Sequence, residues 1–283
     1  MGKIGIITCS TSGIDYLEGY DDIFIGRTTI TMNDKEYYDG KDLSPEEFYQ
    51  YLETASVIPS TAQPSTGQLL DIYEEMKAQG YTEAIYISIS EYLSGTYQGV
   101  CLSRDYLEDF IVHPFDSGSA SFITGFMAIE ARRLIQEGKS VEDVLAYLAD
   151  LRDNDRIFFM VDDLKYLVKN GRLSNSSAFL ANMLQIKPLL ELGSNGKIVA
   201  TEKIRTTKKA MDRIVQSFLA DTNNGQDQRF TFLFNTDAPD KVSYLKSELE
   251  KVNFDTSKLI SAPITPAIGC HVGKGVIGIG YIK

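Results

Sequence analysis

Two hydroxyl-bearing segments and one histidine are the residues of this sequence whose types suggest chemistry. Ser94 and Gly95 follow an apolar run, and His271 lies in a glycine-rich stretch near the end of the chain. A serine activated by a histidine can attack an ester or a thioester, so Ser94 and His271 are a candidate nucleophile and base. No GxSxG elbow surrounds Ser94. The other interpretation of His271 is a loop histidine that orders a glycine-rich turn.

The segment Pro59–Ser65 is the most unusual stretch of the chain. Its two prolines restrict the backbone around Thr61 and favour extended conformations. Ser65 is a candidate N-cap for the next helix, with Gln68 at the third position of that cap. The segment is therefore either a rigid turn between elements or a support that holds the Thr61 hydroxyl at a fixed point in a cleft.

Composition and motifs argue against several other classes of protein. The net charge is −11 over 283 residues, so the average surface would repel a nucleic-acid backbone. Gly273–Gly278 matches GxGxxG, but an apolar strand follows it where a dinucleotide site requires a helix. The three cysteines are far apart and, with only two histidines, they do not predict a structural zinc site. No apolar run approaches the roughly 18–20 residues that span a bilayer, and Met1–Ser12 lacks the profile of an export signal; we expect a cytoplasmic protein.

The front half of the chain alternates strands with helices. Apolar runs predict buried strands at Ile4–Thr8, Thr82–Ser90 and Phe110–Phe115, each followed by a loop of small polar residues. A helix is predicted over Gly95–Leu107. This alternation predicts a parallel sheet with right-handed crossovers, and ligands of such sheets bind beyond the carboxyl ends of the strands. The hydroxyl-rich loops therefore indicate a site at that edge.

The back half has a different pattern. A turn signal at Gly193–Gly196 separates Ile186–Leu192 from Lys197–Ile204, which predicts a hairpin. The strands and helices that follow predict a mixed or antiparallel sheet. We therefore predict an α/β protein with an N-terminal, parallel-sheet, Rossmann-like domain over residues 1–155. A second α/β domain is predicted over residues 156–283, with a ligand between the two domains.

Several segments, in order along nearly the whole chain, resemble the signatures of the DegV family. These segments are Pro59–Ser65, Ser88–Gln98, Asp116–Ser117, Val161–Leu167, Gly171–Ser174, Ile186–Leu190 and Ile268–Gly273. The resemblance implies a two-domain protein that binds a long-chain fatty acid, catalyses no reaction itself and needs no cofactor. It also implies the lipid-carrying role in a bacterial fatty acid kinase, with the kinase catalytic protein as partner.

The resemblance assigns roles to individual residues as well. It implies that Thr61 and Ser94 contact the lipid carboxylate, and that Arg172 and His271 belong to the polar network around that head group. Arg205 matches a family position implicated in docking the kinase, whereas the spacing of the basic residues around it is also that of a solvated helix face. Four residues depart from the family pattern and leave the ligand preference open: Cys9, Ala62, Cys270 and Lys274.

A fatty acid is a physically reasonable ligand for such a site. Full burial of about 14 methylenes gains up to roughly 11 kcal/mol, at about 0.8 per CH₂, while an unpaired carboxylate opposes burial by several kcal/mol. Ser94 and Gly95 precede a predicted helix N-terminus, which favours an anion. The candidate donors to the carboxylate are Thr61, Ser94, the Gly95 amide, Arg172 and His271. Apolar residues that could line a tunnel, but are explained better as core, are Phe122, Phe126, Phe179, Leu180 and Met183.

Overall fold

The computed structural model describes residues 2–174, 186–193 and 195–283. The strands in these ranges are β1 (Lys3–Cys9), β2 (Ile23–Gly26), β3 (Thr29–Met32), β4 (Lys35–Tyr38), β5 (Ser60–Ala62), β6 (Tyr81–Ser88), β7 (Ile111–Asp116), β8 (Asp155–Met160), β9 (Leu189–Leu192), β10 (Ile198–Glu202), β11 (Phe230–Asn235), β12 (Ile260–Pro263) and β13 (Ile277–Ile282). The helices are α1 (Pro45–Thr54), α2 (Thr66–Ala78), α3 (Thr96–Ser103), α4 (Phe122–Gln136), α5 (Val141–Asp153), α6 (Lys165–Lys169), α7 (Thr207–Asp221), α8 (Pro239–Glu250) and α9 (Pro266–Val272). Within these ranges, no helix combines the length and the apolar character that crossing a bilayer requires.

The front of the chain forms a parallel sheet with the strand order β2-β1-β6-β7. Every neighbouring pair in it runs parallel, so the predicted parallel α/β architecture is confirmed. The strands are buried because helices cover the sheet, and the apolar run of β6 has no polar face. The loops after β1, β6 and β7 all leave the carboxyl edge of this sheet.

The back of the chain forms a mixed sheet with the order β10-β9-β8-β13-β11-β12. Its pairs are antiparallel except β11 with β12, which run parallel. The predicted hairpin is confirmed, since β9 and β10 pair in antiparallel register from Leu192 opposite Ile198. One residue of the predicted turn, Ser194, lies outside the described residues. The division into domains at residue 155 stays a prediction, although β8 begins at Asp155.

A third, antiparallel sheet of the order β4-β3-β5 was not predicted. Its strands are three or four residues long, and their side chains alternate weakly between buried and exposed. Such strands give little periodic signal in a sequence. This small sheet carries Thr61, so it matters for the site.

Helix α4 packs between the parallel sheet and the mixed sheet. Phe126 stacks on Phe230 at a ring-centroid distance of 4.2 Å, and Phe122 stacks on the same ring at 6.3 Å. Both phenylalanines therefore belong to the core that joins the two sheets. The other tunnel candidates lie outside the described residues: Phe179, Leu180 and Met183.

Candidate functional site

Thr61 lies on the short strand β5. Thr61 pairs with Ile30 of β3, so the middle of the Pro59–Ser65 segment, Ser60–Ala62, is an edge strand rather than a turn. Ser65 caps α2 by accepting a hydrogen bond from the amide of Gln68 at 3.1 Å, as its spacing predicts. The position of the Thr61 hydroxyl is thus set by a strand on one side and a capped helix on the other.

His271 lies in the last turn of helix α9, so the loop interpretation of this histidine is wrong. The sequence hid this helix because it is seven residues long and contains a glycine and a cysteine, which are poor helix formers. Gly269 lets the helix approach α1 closely: a Cβ there would lie 2.5 Å from Cε1 of Phe48 and 2.9 Å from the Tyr49 hydroxyl. Tertiary packing therefore supports α9 more than its own propensity does.

A hydrogen bond joins the two residues: Thr61 Oγ1 lies 2.7 Å from His271 Nε2. Burial, together with the positive charge of Arg172, lowers the pKa of His271 to about 4, so the imidazole is neutral at pH 7. Its Nδ1 atom is buried and has no hydrogen-bond partner within the described part of the chain. The Thr61–His271 pair is therefore uncharged at pH 7, and Nδ1 of His271 can form one more hydrogen bond.

Ser94 ends the loop after β6, and Gly95 is the N-cap residue of α3. The Ser94 amide donates to the carbonyl of Ser90 at 3.1 Å, and its hydroxyl lies 2.9 Å from the Thr96 hydroxyl. Ser94 and His271 therefore bond to different threonines. A serine hydrolase needs these two side chains to bond to each other.

Arg172 links α6 to the Ser94 loop. It follows Gly171, whose φ of +69° ends the helix in the left-handed region. Its Nε donates to the carbonyl of Leu93 at 3.1 Å, and a second guanidinium nitrogen donates to the carbonyl of Asn170. These two bonds hold the guanidinium group next to the Ser94 loop.

All five residues predicted to bind the head group line one cavity of about 310 Å³. This size lies at the low end of ligand pockets, which range from about 300 to 1,000 Å³. The predicted residues are Thr61, Ser94, Gly95, Arg172 and His271. The head-group cavity, as we call it, is also lined by Thr11, Thr28, Gln63, Ile89, Leu93 and Ile268. Its described lining combines hydroxyls, the Arg172 guanidinium and apolar side chains, which are the groups that recognition of an amphiphilic anion requires.

Sequence reasoning missed Gln63 as a lining residue. Its amide lies against helix α3, where a Cβ on Gly95 would come within 2.0 Å of Oε1 and one on Gly99 within 2.7 Å of Nε2. Glycine in a helix costs roughly 1 kcal/mol relative to alanine, so a glycine pair at positions i and i+4 was a signal of close approach. The sequence does not indicate, however, that Gln63 is the side chain that packs against these two glycines.

Arg205 lies apart from the head-group cavity, on an exposed groove of about 630 Å³ beside the start of α7. Lys203 and Lys209 line the same groove. Arg213, one turn further along the helix, pairs with Glu202 at 2.6 Å. The structure thus separates the predicted lipid-binding residues from the predicted partner-binding residue.

Metal-ligating side chains do not form a cluster at either surface within the described ranges. Among residues 2–174, 186–193 and 195–283, no group of three or more His, Cys, Asp and Glu side chains is placed to hold a metal ion. The three cysteines are free thiols: Cys9, Cys101 and Cys270.

Comparison with known proteins gives a consistent set of relatives. The model of the DegV family, a family of uncharacterised proteins, matches residues 3–283. A DegV domain-containing protein of Streptococcus pneumoniae is 35% identical over 263 residues, which cover 93% of this chain and 92% of the relative. The solved structure of a fatty-acid-binding DegV family protein from Streptococcus agalactiae superposes with a TM-score of 0.91 at 27% identity, covering 100% and 99% of the two chains. DegV of Bacillus subtilis, described as a fatty-acid-binding protein, superposes with a TM-score of 0.86 at 28% identity, covering 100% of each chain.

Proposed function

The chain belongs to the DegV family, and from this premise we propose that it binds a long-chain fatty acid and presents the carboxylate to a partner fatty acid kinase. The observation that carries the proposal is the cavity in which Thr61, Ser94 and Arg172 converge around a neutral His271. The solved relatives from Streptococcus agalactiae and Bacillus subtilis are described as fatty-acid-binding proteins. Both superpose on the whole of this chain.

The chemistry of the cavity suits a carboxylate. Hydrogen bonds to charged groups are worth about 1.5–3 kcal/mol each, and the Thr61 and Ser94 hydroxyls can donate to an oxygen anion. His271 supports Thr61: when Nε2 carries the ring proton, it donates to Oγ1 and leaves the hydroxyl proton for the ligand. Arg172 offsets the charge of the anion from the side of the Ser94 loop. The acyl chain then supplies affinity through burial of its methylenes.

The same contacts favour carriage over hydrolysis. A catalytic histidine is oriented by a hydrogen bond to its second nitrogen and faces the nucleophile. Here Nδ1 of His271 has no partner in the described ranges, and Nε2 is bonded to Thr61 instead of Ser94. We therefore propose that the protein holds the fatty acid unchanged and has no catalytic residue of its own.

The test is extraction of the purified protein under denaturing conditions, followed by mass spectrometry. We expect an intact fatty acid, and Ser94→Ala should lower its occupancy, whereas Ser243→Ala on the exposed face of α8 should not. Recovery of no lipid, with no thermal shift on adding any long-chain acid, would contradict the proposal. Labelling of Ser94 by a serine-directed activity probe would favour the hydrolase instead.

The kinase interaction has its own experiment. Arg205 is exposed on a groove away from the head-group cavity, so Arg205→Glu should weaken binding of the kinase catalytic protein without lowering fatty acid occupancy. Lys139→Glu, an exposed charge reversal between α4 and α5, is the matched control. Equal kinase binding by Arg205→Glu and wild type would remove this half of the proposal.

A further inference from the structure

The helix that carries His271 begins without a cap from its own sequence. Helix α9 starts at Pro266, which has no N–H group, and its N-cap residue Thr265 makes no side-chain hydrogen bond to the first turn. A helix as short as α9 gains too little from its internal hydrogen bonds to be stable alone. The start of α9 therefore depends on an acceptor from elsewhere in the fold.

Asp39 supplies that acceptor. Its Oδ1 accepts a hydrogen bond from the amide of Ala267 at 3.1 Å, across 228 residues of sequence. The side chain is completely buried, and burial raises the pKa of Asp39 to about 6. Burying a carboxylate is unfavourable unless it is hydrogen-bonded, and the Ala267 amide at the start of α9 provides such a bond.

The backbone of Asp39 is fixed to the sheet that carries Thr61. Its amide donates to the carbonyl of Thr28 at 3.0 Å, and the guanidinium of Arg27 donates to its carbonyl at 2.8 Å. Thr28 directly precedes β3, and β3 pairs with β5 where Ile30 lies opposite Thr61. Asp39 thus joins the sheet of Thr61 to the helix of His271.

We propose that Asp39 is a positioning residue of the head-group cavity: by capping α9 it holds His271 within hydrogen-bonding distance of Thr61. Asp39 does not line the head-group cavity among the residues described, so it acts on the ligand only through the helix. This role rests on the proposed function, since the Thr61–His271 pair affects binding only if it faces the lipid carboxylate.

The test compares wild type, Asp39→Asn and Asp39→Ala by ¹⁵N NMR of the histidine rings in the full chain. The chain has two histidines, and His113→Gln assigns their signals. Asparagine keeps an oxygen for the Ala267 amide, whereas alanine removes it. We expect the His271 ring shifts and its apparent pKa in Asp39→Asn to stay close to wild type. In Asp39→Ala both should move toward the values of a free histidine.

Binding of oleic acid is measured on the same samples. We expect Asp39→Ala to weaken binding by about five- to tenfold, the effect of losing one helix cap, and Asp39→Asn to retain it. Unchanged His271 signals in folded Asp39→Ala would overturn the proposal, as would equal shifts in both variants, which would mean that charge acts instead of capping.

The proposal can still be tested if the alanine variant does not fold or if the wild type does not bind the fatty acid. If Asp39→Ala does not fold, Asp39→Ser replaces it, because the serine side chain is one bond shorter and moves the oxygen away from the Ala267 amide. Unchanged His271 signals in that variant overturn the proposal in the same way. If wild type binds neither oleic acid nor any other long-chain acid, the proposed function fails, while the ring signals still decide whether Asp39 positions His271.

Discussion

Thr61 and His271 lie 210 residues apart in the chain, yet Oγ1 of one is 2.7 Å from Nε2 of the other. The strand that carries Thr61 lies in the first quarter of the sequence, and the helix that carries His271 lies close to its C-terminus. Each belongs to an element of seven residues or fewer. The geometry of the head-group cavity therefore depends on how these two distant elements pack together as much as on the residues that line it.

Thr61→Val tests the hydrogen bond of this pair directly. Valine has the shape of threonine but no hydroxyl, so the variant loses the contact to His271 and a donor to the carboxylate. We expect fatty acid affinity to fall by about five- to tenfold, corresponding to about 1–1.5 kcal/mol. Thr54→Val, at the exposed end of α1, is the control, and titration calorimetry with oleic acid is the measurement. Equal affinity in Thr61→Val and Thr54→Val would show that the pair does not contribute.

The pKa of His271 predicts a dependence of stability on pH. It is about 4 in the folded protein against about 6.5 for an unperturbed histidine, so the unfolded chain takes up a proton first as pH falls below about 6.5. Unfolding free energy therefore decreases from pH 7.5 to pH 5 by up to about 2 kcal/mol through this residue. His271→Gln should lack that part of the decrease in urea unfolding of lipid-free protein. His113→Gln is the control, and a wild-type-minus-variant difference that is the same at both pH values would contradict the assignment.

The larger elements of the fold could be predicted from the sequence, whereas the supports of the site could not. Strands β1 and β6 are long apolar runs whose following loops meet at one sheet edge, and this is why the sequence predicts that the Ser94 loop lies at that edge. Strand β5 and helix α9 carry no comparable period, because three residues and seven residues are too short to show one.

Long-range contacts explain the rest of what sequence reasoning missed. Helix α9 is defined by Asp39 bonding to Ala267 and by Phe48 packing on Gly269. Neither contact is visible in a linear sequence, since each joins residues more than 200 positions apart. The pairing of His271 with Thr61 follows from these contacts, whereas the residue types alone suggested Ser94 as the partner of His271.

Asp155 gives a second prediction about pH, of opposite sign. Its side chain is fully buried, it accepts a hydrogen bond from the Ser119 hydroxyl at 2.5 Å, and burial raises its pKa to about 7. The folded protein thus keeps this proton longer than the unfolded chain does, and stability falls as pH rises from about 4 toward 7. Between pH 5 and pH 8 the wild type should lose on the order of 2 kcal/mol of unfolding free energy through this residue, and Asp155→Asn should not show that loss. Urea unfolding at the two pH values checks this, with the exposed neighbour variant Asp153→Asn as control; no relative gain at pH 8 would refute it.

Two glycine substitutions separate helix propensity from site geometry. A Cβ on Gly67 in α2 would meet only the Ser65 hydroxyl, at 3.8 Å, whereas one on Gly99 in α3 would lie 2.7 Å from Nε2 of Gln63. Gly67→Ala should therefore stabilise the protein by about 0.5–1 kcal/mol and leave fatty acid affinity unchanged.

Gly99→Ala should gain no stability and should weaken fatty acid binding, because the methyl group displaces the Gln63 amide from the wall of the head-group cavity. Thermal unfolding and calorimetry with oleic acid measure both effects, and equal stabilisation by the two variants would mean that Gln63 moves aside freely and does not shape the cavity.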